Sequence, residues 1–476
     1  MTRTLALLLG CTAMAACSVG PRDLDAHIAL PAATVPAPIT PESAPGQVFS
    51  PATASPAAWW TAFASPQLDL LVTEALRHNN DIATADASLR QAAEQARAAG
   101  GALLPQADAS YQAERARVSD SISPVIANQN QQLYTLHTAQ VNVSYTLDAF
   151  GGTRSRIRSA RAQAAVQRSR LDAARTSVVS NLVQAVIQRA ALADQLEAAR
   201  TAVTVNRDIL DRLQLRQRLG AVGAADVVTQ QTALAAAEGA LPALVRQEAH
   251  QRVVIAALLG RAAGEALPDL PTLAQLSLPT QLPAVLPSDL VAQRPDVQAA
   301  RAQLEGAGAD VQTAIAARLP SITLSANAGG SAQRFEDMFK DGNPFWTLLG
   351  GITQPLFHAG QLRHQQRAAE AALDAAKAGY RSAVLTAFGD VSDALTGLTT
   401  DGVALDAATR AADASNLALT FARRRLALGD IDTLALLNAS AADAQARAQL
   451  VQARAARLTD TVALFAAVGG QIAAPK

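Results

Sequence analysis

The sequence predicts a mainly α-helical fold with a membrane β part, built from long antiparallel α-hairpins and four short strands per chain. The first observation behind this prediction is an internal two-fold repeat, in which similar segments lie about 210 residues apart. Residues 102–111 and 317–326 form one such pair, and residues 218–227 and 425–434 form another. The second observation is a very long alanine-rich helical pattern in each copy. The third is an alternation of polar and apolar residues ahead of each long helix, which is typical of a β-strand.

The N-terminal residues predict a signal peptide followed by a lipidated tether. In residues 1–16 a positive charge precedes an apolar run and small residues, which is the pattern of a secretion signal. Cys17 would then be the first mature residue and would carry the lipid of a bacterial lipoprotein. Cys11 is the weaker alternative, because cleavage there would leave a very short apolar run. Residues 17–65 are rich in proline, alanine, serine and threonine, and therefore predict an extended tether.

The composition argues against several functional classes. Lys+Arg and Asp+Glu both number 40, so the net charge is near zero and no nucleic-acid partner is predicted. Beyond the N-terminus no stretch has 18 consecutive apolar residues, so any crossing of a bilayer would have to use β-strands. The six histidines lack metal-ligand spacing, and no nucleophile elbow or phosphate-binding loop is present. We therefore expect no catalytic residue, no metal and no cofactor.

The first structural repeat is predicted at residues 66–265. Its elements are a helix at about 66–102, strands at about 106–118 and 136–147, a long helix at about 152–218 and a partner helix at about 225–260. Pro105 ends the first helix because proline has no N–H to donate. The second strand has the clearest period of two, which gives it one polar and one apolar face. The polar face carries Thr138, Gln140, Asn142 and Ser144.

A linker at 266–294 leads to the second structural repeat at 295–470, and residues 471–476 form a C-terminal tail. The elements of this repeat are a helix at about 295–318, strands at about 320–331 and 345–356, a long helix at about 360–427 and a partner at about 431–468. Apolar residues of the last helix recur at spacings of four and three, which is typical of a coiled-coil seam. A soluble coiled-coil rod explains this seam equally well, but it leaves no place for the strands.

The four strands predict an assembly of several chains. Each strand is long enough to cross a bilayer when tilted, and every backbone group in lipid must be paired, so the sheet must close. Four strands cannot close on themselves, whereas three chains would supply about twelve strands around a water-filled interior. Two chains with eight strands stay open as an alternative on strand number alone. In this reading a trimeric α-barrel continues the β-barrel, and Thr138, Gln140, Asn142 and Ser144 line the lumen.

Five segments carry a resemblance to a known family. They are Cys17–Pro21, Trp59–Phe63, Leu147–Gly152, Leu290–Val297 and Ala387–Leu395. Through them the chain resembles the TolC-type outer-membrane efflux factors, in the lipoprotein branch of the tripartite (RND-type) pumps. The resemblance implies a homotrimeric, lipid-anchored channel in the outer membrane that extends into the periplasm and passively exports drugs, organic compounds or metals. It also implies a periplasmic adaptor (membrane fusion) protein and an inner-membrane pump as partners, with outer-membrane lipid around the barrel.

The resemblance further implies that the two hairpin turns form the closed periplasmic mouth and the adaptor contact. The residues assigned to this mouth are Gly220, Asp226, Asp430, Asp432, Leu434, Leu437 and Asn438. Family members often carry acidic residues just inside the last helix, but Ala435 and Asn438 stand at those positions here. Either Asp430 and Asp432 replace the acidic ring, or Leu434 and Leu437 seal the mouth. Capping of the last helix is a further role for the two aspartates.

A periplasmic coiled-coil adaptor lipoprotein, which bridges transporter components without forming a pore, is the alternative function. Such an adaptor needs one helical hairpin and a compact β-rich domain. The sequence instead predicts two hairpins, with amphipathic strands in each half. We therefore favour the channel over the adaptor.

Overall fold

A computed structural model of the chain describes residues 47–51, 58–117, 133–284 and 293–469. The predicted signal peptide at 1–16, both cysteines and the tail at 471–476 lie outside the described residues. Within the described ranges the chain divides into two compact units. One unit comprises residues 89–166 and 300–380 and contains a four-stranded sheet. The other comprises the remaining residues and contains both hairpin turns.

Seven α-helices and six β-strands occur in the described part of the chain. In order they are β1 (Val48–Pro51), α1 (Pro66–His78), α2 (Asn80–Gly101), β2 (Gln106–Arg117), β3 (Leu133–Leu147), α3 (Gly152–Arg218), α4 (Ala224–Leu258), β4 (Gln281–Ala284), α5 (Pro295–Ala316), β5 (Ser321–Ala332), β6 (Pro344–Thr353), α6 (Gln361–Ala427) and α7 (Thr433–Ala467). Three short 3₁₀ turns occur at Trp59–Phe63, Leu273–Gln275 and Phe335–Asp337.

The two-fold repeat extends to the lengths of the elements. The long helices α3 and α6 each have 67 residues, and their partners α4 and α7 each have 35. The helices α2 and α5 each have 22 residues, and the strands β2 and β5 each have 12. This agreement confirms that the chain is a duplicated unit of helix, two strands and a long helical hairpin.

The prediction of one continuous helix at 66–102 is wrong, because Asn79 divides it into α1 and α2. The backbone of Asn79 is extended, with φ −69° and ψ 130°. Its Oδ1 accepts hydrogen bonds from the backbone N–H groups of Asp81 (2.9 Å) and Ile82 (3.2 Å). Its Nδ2 donates to the carbonyl oxygen of Leu258 at 3.0 Å. Asparagine thus caps α2, and a capping side chain requires the non-helical backbone that ends α1.

A second, two-stranded sheet lies in segments predicted to be unpacked. β1 falls in the predicted tether at 17–65 and β4 in the predicted linker at 266–294, and the two strands pair in parallel. Eight residues after β1, Trp59 is buried and stacks on Phe465 of α7, with ring centroids 5.5 Å apart. The interpretation of 17–65 as tether throughout is therefore wrong at its C-terminal end. A strand this short, among prolines and small residues, gives no local sequence signal. Its partner lies more than 200 positions away, so the pairing cannot be predicted from neighbouring residues either.

The larger sheet has the strand order β2–β3–β5–β6, with every neighbouring pair antiparallel. The pairing of β3 with β5 joins the two repeats. β3 begins at Leu133, three residues before the predicted start, because Leu133 and Tyr134 continue the ladder with β2. β6 ends at Thr353, three residues before the predicted end. Beyond it the side chain of Gln354 donates to the carbonyl oxygens of Arg318 and Pro355.

The start of α3 shows how the strands are joined to the long helices. Gly151 has φ +75°, a conformation that glycine adopts without strain. The carboxylate of Asp148 accepts hydrogen bonds from the backbone N–H groups of Thr153 (2.9 Å) and Arg154 (3.0 Å). An acidic cap of this kind satisfies the free N–H groups of the first helical turn and favours the positive end of the helix dipole. Residues 147–152 therefore form the connection between strand β3 and helix α3.

Candidate functional site

The register of the larger sheet places polar residues of all four strands on one face. Asn142 lies opposite Asp108 of β2 and Asn327 of β5, and Asn327 lies opposite Thr347 of β6. The predicted residues Thr138, Gln140, Asn142 and Ser144 alternate along β3 and so share this face. Two side-chain hydrogen bonds link neighbouring strands across it. Thr138 Oγ1 lies 3.0 Å from Ser331 Oγ, and Asn142 Nδ2 donates to Ser110 Oγ at 3.2 Å.

The opposite face of the same sheet is apolar and exposed. Trp346, Leu348 and Ile352 of β6 are 77%, 71% and 73% exposed, and Val141 and Leu147 of β3 are also exposed. Soluble monomers rarely expose so continuous an apolar surface. Along β6 the apolar side chains extend from Trp346 to Ile352, a distance of six residues, or about 20 Å at about 3.3 Å per residue. This height approaches the apolar band of about 25 Å on outer-membrane strands.

Three aromatic rings cluster on the apolar face at the level where β5 ends, beyond which only β2 and β3 continue to pair. Tyr111 Oη lies 2.8 Å from His137 Nδ1, and the two rings are stacked with centroids 6.2 Å apart. Phe335 packs edge-on against both rings. Sequence reasoning missed this cluster, because Phe335 follows β5, about 200 positions from its two neighbours. Amphipathic rings at the end of an apolar strand face are typical of a membrane–water interface.

The turns of the two helical hairpins have the same backbone structure. Gly220 after α3 and Gly429 after α6 both have positive φ, +73° and +75°. The next residue in each turn donates a backbone hydrogen bond of 2.9 Å to a carbonyl oxygen five positions earlier, Ala221 to Arg216 and Asp430 to Arg425. This is the Schellman arrangement that ends helices, and it requires a left-handed residue such as glycine. The predicted role of Gly220 in a turn therefore has a definite physical cause.

The acidic residues of the two turns have different partners. Asp432 is the N-cap of α7, and its Oδ1 accepts a hydrogen bond from Ala435 N at 2.8 Å. Asp226 Oδ2 accepts a hydrogen bond of 3.2 Å from the backbone N–H of Gly223 at the start of α4. Asp430 does not cap the helix, because its Oδ2 accepts a 2.6 Å hydrogen bond from Arg425 Nε. Capping thus accounts for Asp432 and Asp226, and ion pairing accounts for Asp430.

The remaining predicted mouth residues lie at the start of α7. Leu437 packs against an apolar cluster at the hairpin ends, formed by Ile209, Leu210, Leu213, Val227, Leu419, Ala422 and Leu436. Leu434 is 54% exposed, and Asn438 is also exposed. The side chains that hold the two hairpins together are therefore separate from those that are free to face a lumen or a partner.

Arg294 forms a clasp between three elements of the second unit. Pro295 begins α5 as predicted, but the carboxylate of Asp296 is also bound by Arg294, through Nε at 3.0 Å and Nη2 at 2.8 Å. Arg294 Nη2 also donates to Asp390 of α6 at 2.7 Å, and Nη1 donates to the carbonyl oxygen of Ala467 in α7 at 3.1 Å. Burial acts to raise the pKa of Asp296, but the hydrogen bonds and charge of Arg294 outweigh it and lower the pKa.

A second buried arginine lies between α6 and α7. Arg457 is only 2% exposed, and it donates to Gln47 Oε1 at 2.7 Å and to the carbonyl oxygen of Leu398. Burial lowers the pKa of Arg457, while the charges of Asp401 and Asp460 act to raise it. Burial, together with the charge and hydrogen bond of Asp460, raises the pKa of Asp401 to about 6 against the opposing charge of Arg457. The group is therefore one cation facing two carboxyl groups, which sequence reasoning missed.

The described residues contain neither a metal-binding cluster nor a membrane-spanning helix. No three or more histidine, cysteine, aspartate or glutamate side chains in these ranges are placed to hold a metal ion together. None of the described helices has the length and hydropathy needed to traverse a bilayer.

Comparison with known proteins gives consistent results. A family model described as outer membrane efflux protein matches residues 71–261 and 286–470. The chain is 32% identical over 461 residues to the pyoverdine export outer membrane protein OpmQ of Pseudomonas putida, with 94% of this chain and 96% of that protein covered. It is 30% identical over 418 residues to the toluene efflux pump outer membrane protein TtgF of Pseudomonas putida, with 87% and 85% covered.

Solved structures of outer-membrane channels share this fold. The open state of the MtrE outer membrane channel of Neisseria gonorrhoeae superposes with a TM-score of 0.81 at 25% identity, over 94% of this chain and 98% of that one. The outer-membrane channel OprN gives a TM-score of 0.81 at 26% identity, over 91% and 98% of the two chains. The helical hairpins and the four-stranded sheet are thus the architecture of such channels.

Proposed function

The chain belongs to the outer membrane efflux protein family, and we propose that three copies of it pool their sheets into one closed barrel of about twelve strands. The protein is an outer-membrane efflux channel and not an enzyme. The family match covers both halves of the chain, so the alternative of a periplasmic adaptor is set aside. What the family match leaves open is how the copies assemble, what lines the duct and where it closes.

The two faces of the four-stranded sheet are the observation that carries this proposal. One face carries polar side chains from all four strands, together with Leu349 of β6, and the other exposes large apolar side chains such as Trp346 and Leu348. Within the described strands β2 and β6 each have a neighbour on one side only. Unpaired strand edges are not tolerated in lipid, so these edges must be joined to other copies. Closure with the polar face inward gives a water-filled lumen lined by Thr138, Gln140, Asn142 and Ser144.

Exposed apolar side chains on the helices also support an assembly of several copies. Val228, Val245 and Val253 of α4 are about half exposed, as are Leu417 and Phe421 of α6. Exposed apolar side chains such as these are covered when helices of a neighbouring copy lie beside them. The result is a trimeric α-barrel that continues the β-barrel into the periplasm. Small alanine side chains let these helices lie close together.

The lipid anchor is the second part of the proposal. Cys17 follows a signal-like segment, and a lipidated N-terminal cysteine would hold each copy at the inner leaflet of the outer membrane. Metabolic labelling with palmitate tests this assignment. Label should be lost in Cys17→Ser, and label that survives this change would move the site to Cys11.

The periplasmic mouth and its partners are the third part. We assign the mouth to the two hairpin turns with Gly220, Asp226, Asp430, Asp432 and Asn438, and we assign its seal to Leu434, which is exposed beside them. A periplasmic adaptor would dock on these turns and connect the channel to an inner-membrane pump. Leu434→Ser should raise the leak conductance of the closed channel, because a polar side chain lets water enter the constriction. An unchanged leak would place the seal elsewhere.

The cargo is proposed as small molecules, namely drugs, organic compounds or metals. The relatives with 30–32% identity are named for export of pyoverdine and efflux of toluene. A passive duct with an uncharged polar lining on β3 accepts both polar and apolar solutes, so the pump would set the specificity. Drugs and metals then remain within the range of cargo.

Purified full-length protein in a planar bilayer tests the proposed function. Discrete single-channel conductance, together with a native mass equal to three chains, is the expected result. A chain that stays monomeric in detergent and gives no conductance would contradict the proposal. A mass of two chains with conductance would instead support the eight-strand alternative.

A further inference from the structure

The apolar face of the larger sheet carries two charged side chains in its described strands, and both are arginines. Arg115 and Arg117 belong to β2, where they alternate with residues of the polar face. The carboxylates of the same described strands, Asp108 and Glu114, both lie on the polar face. The described apolar face therefore has two positive charges and no negative charge to balance them.

Neither arginine has a partner within the ranges that the structure describes. Both are exposed, and their guanidinium groups make no ion pair and no hydrogen bond in those ranges. The residues opposite them on β3, Thr135 and Leu133, are uncharged. A guanidinium group presents a planar fork of N–H donors that matches the oxygens of a phosphate. Two such forks are therefore available to an anion from outside the chain.

The position of the arginines along the strands corresponds to the headgroup layer of a bilayer. On β3 the apolar face extends from Leu147 to His137, a distance of ten residues. At about 3.3 Å per residue and a tilt of about 40°, this distance rises about 25 Å, the height of the apolar band on outer-membrane strands. Arg115 and Arg117 lie two and four residues beyond the level of His137. They are thus roughly 5 and 10 Å past the band, where lipid headgroups begin.

This end of the sheet is the end away from the long helices. β3 leads into α3 at its opposite end, just after Leu147. The proposed function places the helices in the periplasm, so the two arginines belong to the outer leaflet. The aromatic cluster of Tyr111, His137 and Phe335 lies between the arginines and the apolar band. Amphipathic rings at this level mark the boundary between acyl chains and headgroups.

We propose that Arg115 and Arg117 bind the headgroup of an outer-leaflet lipid that carries a phosphate monoester. The proposal rests on the proposed function, because the sheet must lie in the membrane, and it adds a specific lipid partner. A phosphate monoester has a charge of about −1.5 to −2 near pH 7, which balances two guanidinium groups. Residues two apart on a strand are separated by about 7 Å, so both side chains reach one phosphate. The acyl chains of this lipid then contact Tyr111 and Val141, which are both exposed.

The charges set the size of the expected lipid preference. Each arginine close to an anionic headgroup increases affinity roughly fivefold, so two arginines give about thirtyfold over a zwitterionic lipid. A phosphodiester headgroup with one negative charge should bind with intermediate affinity. The preference should decrease at high salt, because ions screen exposed charges.

Native mass spectrometry of the full-length protein in a neutral detergent tests this proposal. It gives the mass of the oligomer and the fraction that carries bound lipid at each lipid concentration. Three lipids with identical acyl chains are compared, namely phosphatidic acid with a phosphate monoester, phosphatidylglycerol with an anionic phosphodiester and zwitterionic phosphatidylcholine. The test variant is Arg115→Gln/Arg117→Gln. The control is Arg200→Gln/Arg410→Gln, which removes two exposed arginines from α3 and α6.

The expected result is that phosphatidic acid binds the wild type about thirtyfold more tightly than phosphatidylcholine, with phosphatidylglycerol between them. The control should keep this preference and Arg115→Gln/Arg117→Gln should lose it. Arg115→Lys/Arg117→Lys retains both charges and should keep most of the preference, which separates charge from local folding. Excess inorganic phosphate should not displace the lipid, because it lacks the acyl chains.

Equal binding of phosphatidic acid and phosphatidylcholine to the wild type would overturn the proposal, whatever the variants do. An unchanged preference in Arg115→Gln/Arg117→Gln, or its loss in the lysine variant or in the control, would overturn it as well. Displacement by inorganic phosphate would replace the lipid with a free anion. Single-channel conductance and the oligomeric mass of the same preparation report separately whether the proposed channel function holds.

Discussion

Asp401, which lies beside Asp460, should make the stability of the helical region depend on pH. Burial and the neighbouring Asp460 raise the pKa of Asp401 from 3.8 to about 6. A carboxyl group with a raised pKa in the folded state stabilises the fold in its protonated form. Its contribution is fully present below about pH 3.8 and is lost as the pH rises through about 6. Asp401→Asn keeps the shape and cannot ionise, so it should remove this dependence.

The size of the effect follows from the shift. About two pKa units correspond to about 3 kcal/mol when the shift is complete. Asp401 is partly exposed, so solvent screening reduces this figure to about 1 to 2 kcal/mol. Asp401→Asn should therefore be close to neutral at about pH 3.5 and should stabilise α6 and α7 by about 1 to 2 kcal/mol at about pH 8.

Hydrogen exchange read by mass spectrometry measures the local free energy of opening in α6 and α7, even where global unfolding is irreversible. Asp406→Asn removes an exposed carboxylate from the same helix and is the control, with an expected change below about 0.5 kcal/mol. A difference between Asp401→Asn and wild type that is the same at both pH values would refute the reasoning. Greater protection of the wild type at the higher pH would refute it as well.

Three further changes test other parts of the structure. Arg294→Met removes the cation that binds Asp296 and Asp390, and because both carboxylates are almost half exposed it should destabilise the start of α5 by only about 1 to 3 kcal/mol, read as faster hydrogen exchange there; unchanged exchange would contradict this role of Arg294. Leu348→Arg on the apolar sheet face should cost about 2 to 4 kcal/mol in lipid and reduce assembly into the outer membrane, whereas Thr347→Arg on the polar face should not. Equal losses of assembly for these two variants would contradict the assignment of one lipid-facing apolar face and one polar face to the sheet. Asp432→Ala removes the cap of α7 and should lower its local stability by about 1 kcal/mol in hydrogen exchange, while Asp432→Asn retains most of it; equal effects of the two would assign Asp432 another role.

The long helices and the central strands are predictable because their signals are local. The helices predicted at about 152–218 and 360–427 are Gly152–Arg218 and Gln361–Ala427. Glycines at the turns mark their ends, and alanine with long polar residues favours helix between them. The alternation in β3 likewise predicts which side chains share a face, since the period of a strand is fixed at two residues.

The break at Asn79 carries a sequence signal that the apolar periodicity conceals. Asn79, Asn80 and Asp81 are residues that favour helix caps over helix interiors, yet they stand within a helical pattern. Because apolar residues continue at helical spacing on both sides, the pattern favours one helix. The hydrogen bond from Asn79 to Leu258, 179 positions away, stabilises the break, and such a contact has no local signature.

The buried arginines are not predictable from the sequence for the same reason. Arg457 contacts Leu398 and Gln47, which are 59 and 410 positions away. Within α7 it is one of several arginines in an alanine-rich pattern, and nothing local distinguishes it from the exposed Arg447 or Arg454. Only the packing of α6 against α7 excludes water from one arginine and leaves the others solvated.

The proposed channel requires the polar face of the sheet to line the water-filled lumen and the apolar face to contact lipid. Asn142→Cys and Val143→Cys place a single thiol on opposite faces of the same strand, one residue apart. The measurement is single-channel conductance before and after a charged, membrane-impermeant thiol reagent. The account predicts that the reagent lowers the conductance of Asn142→Cys and leaves that of Val143→Cys unchanged. Block of Val143→Cys alone, or the same response from both variants, would contradict it.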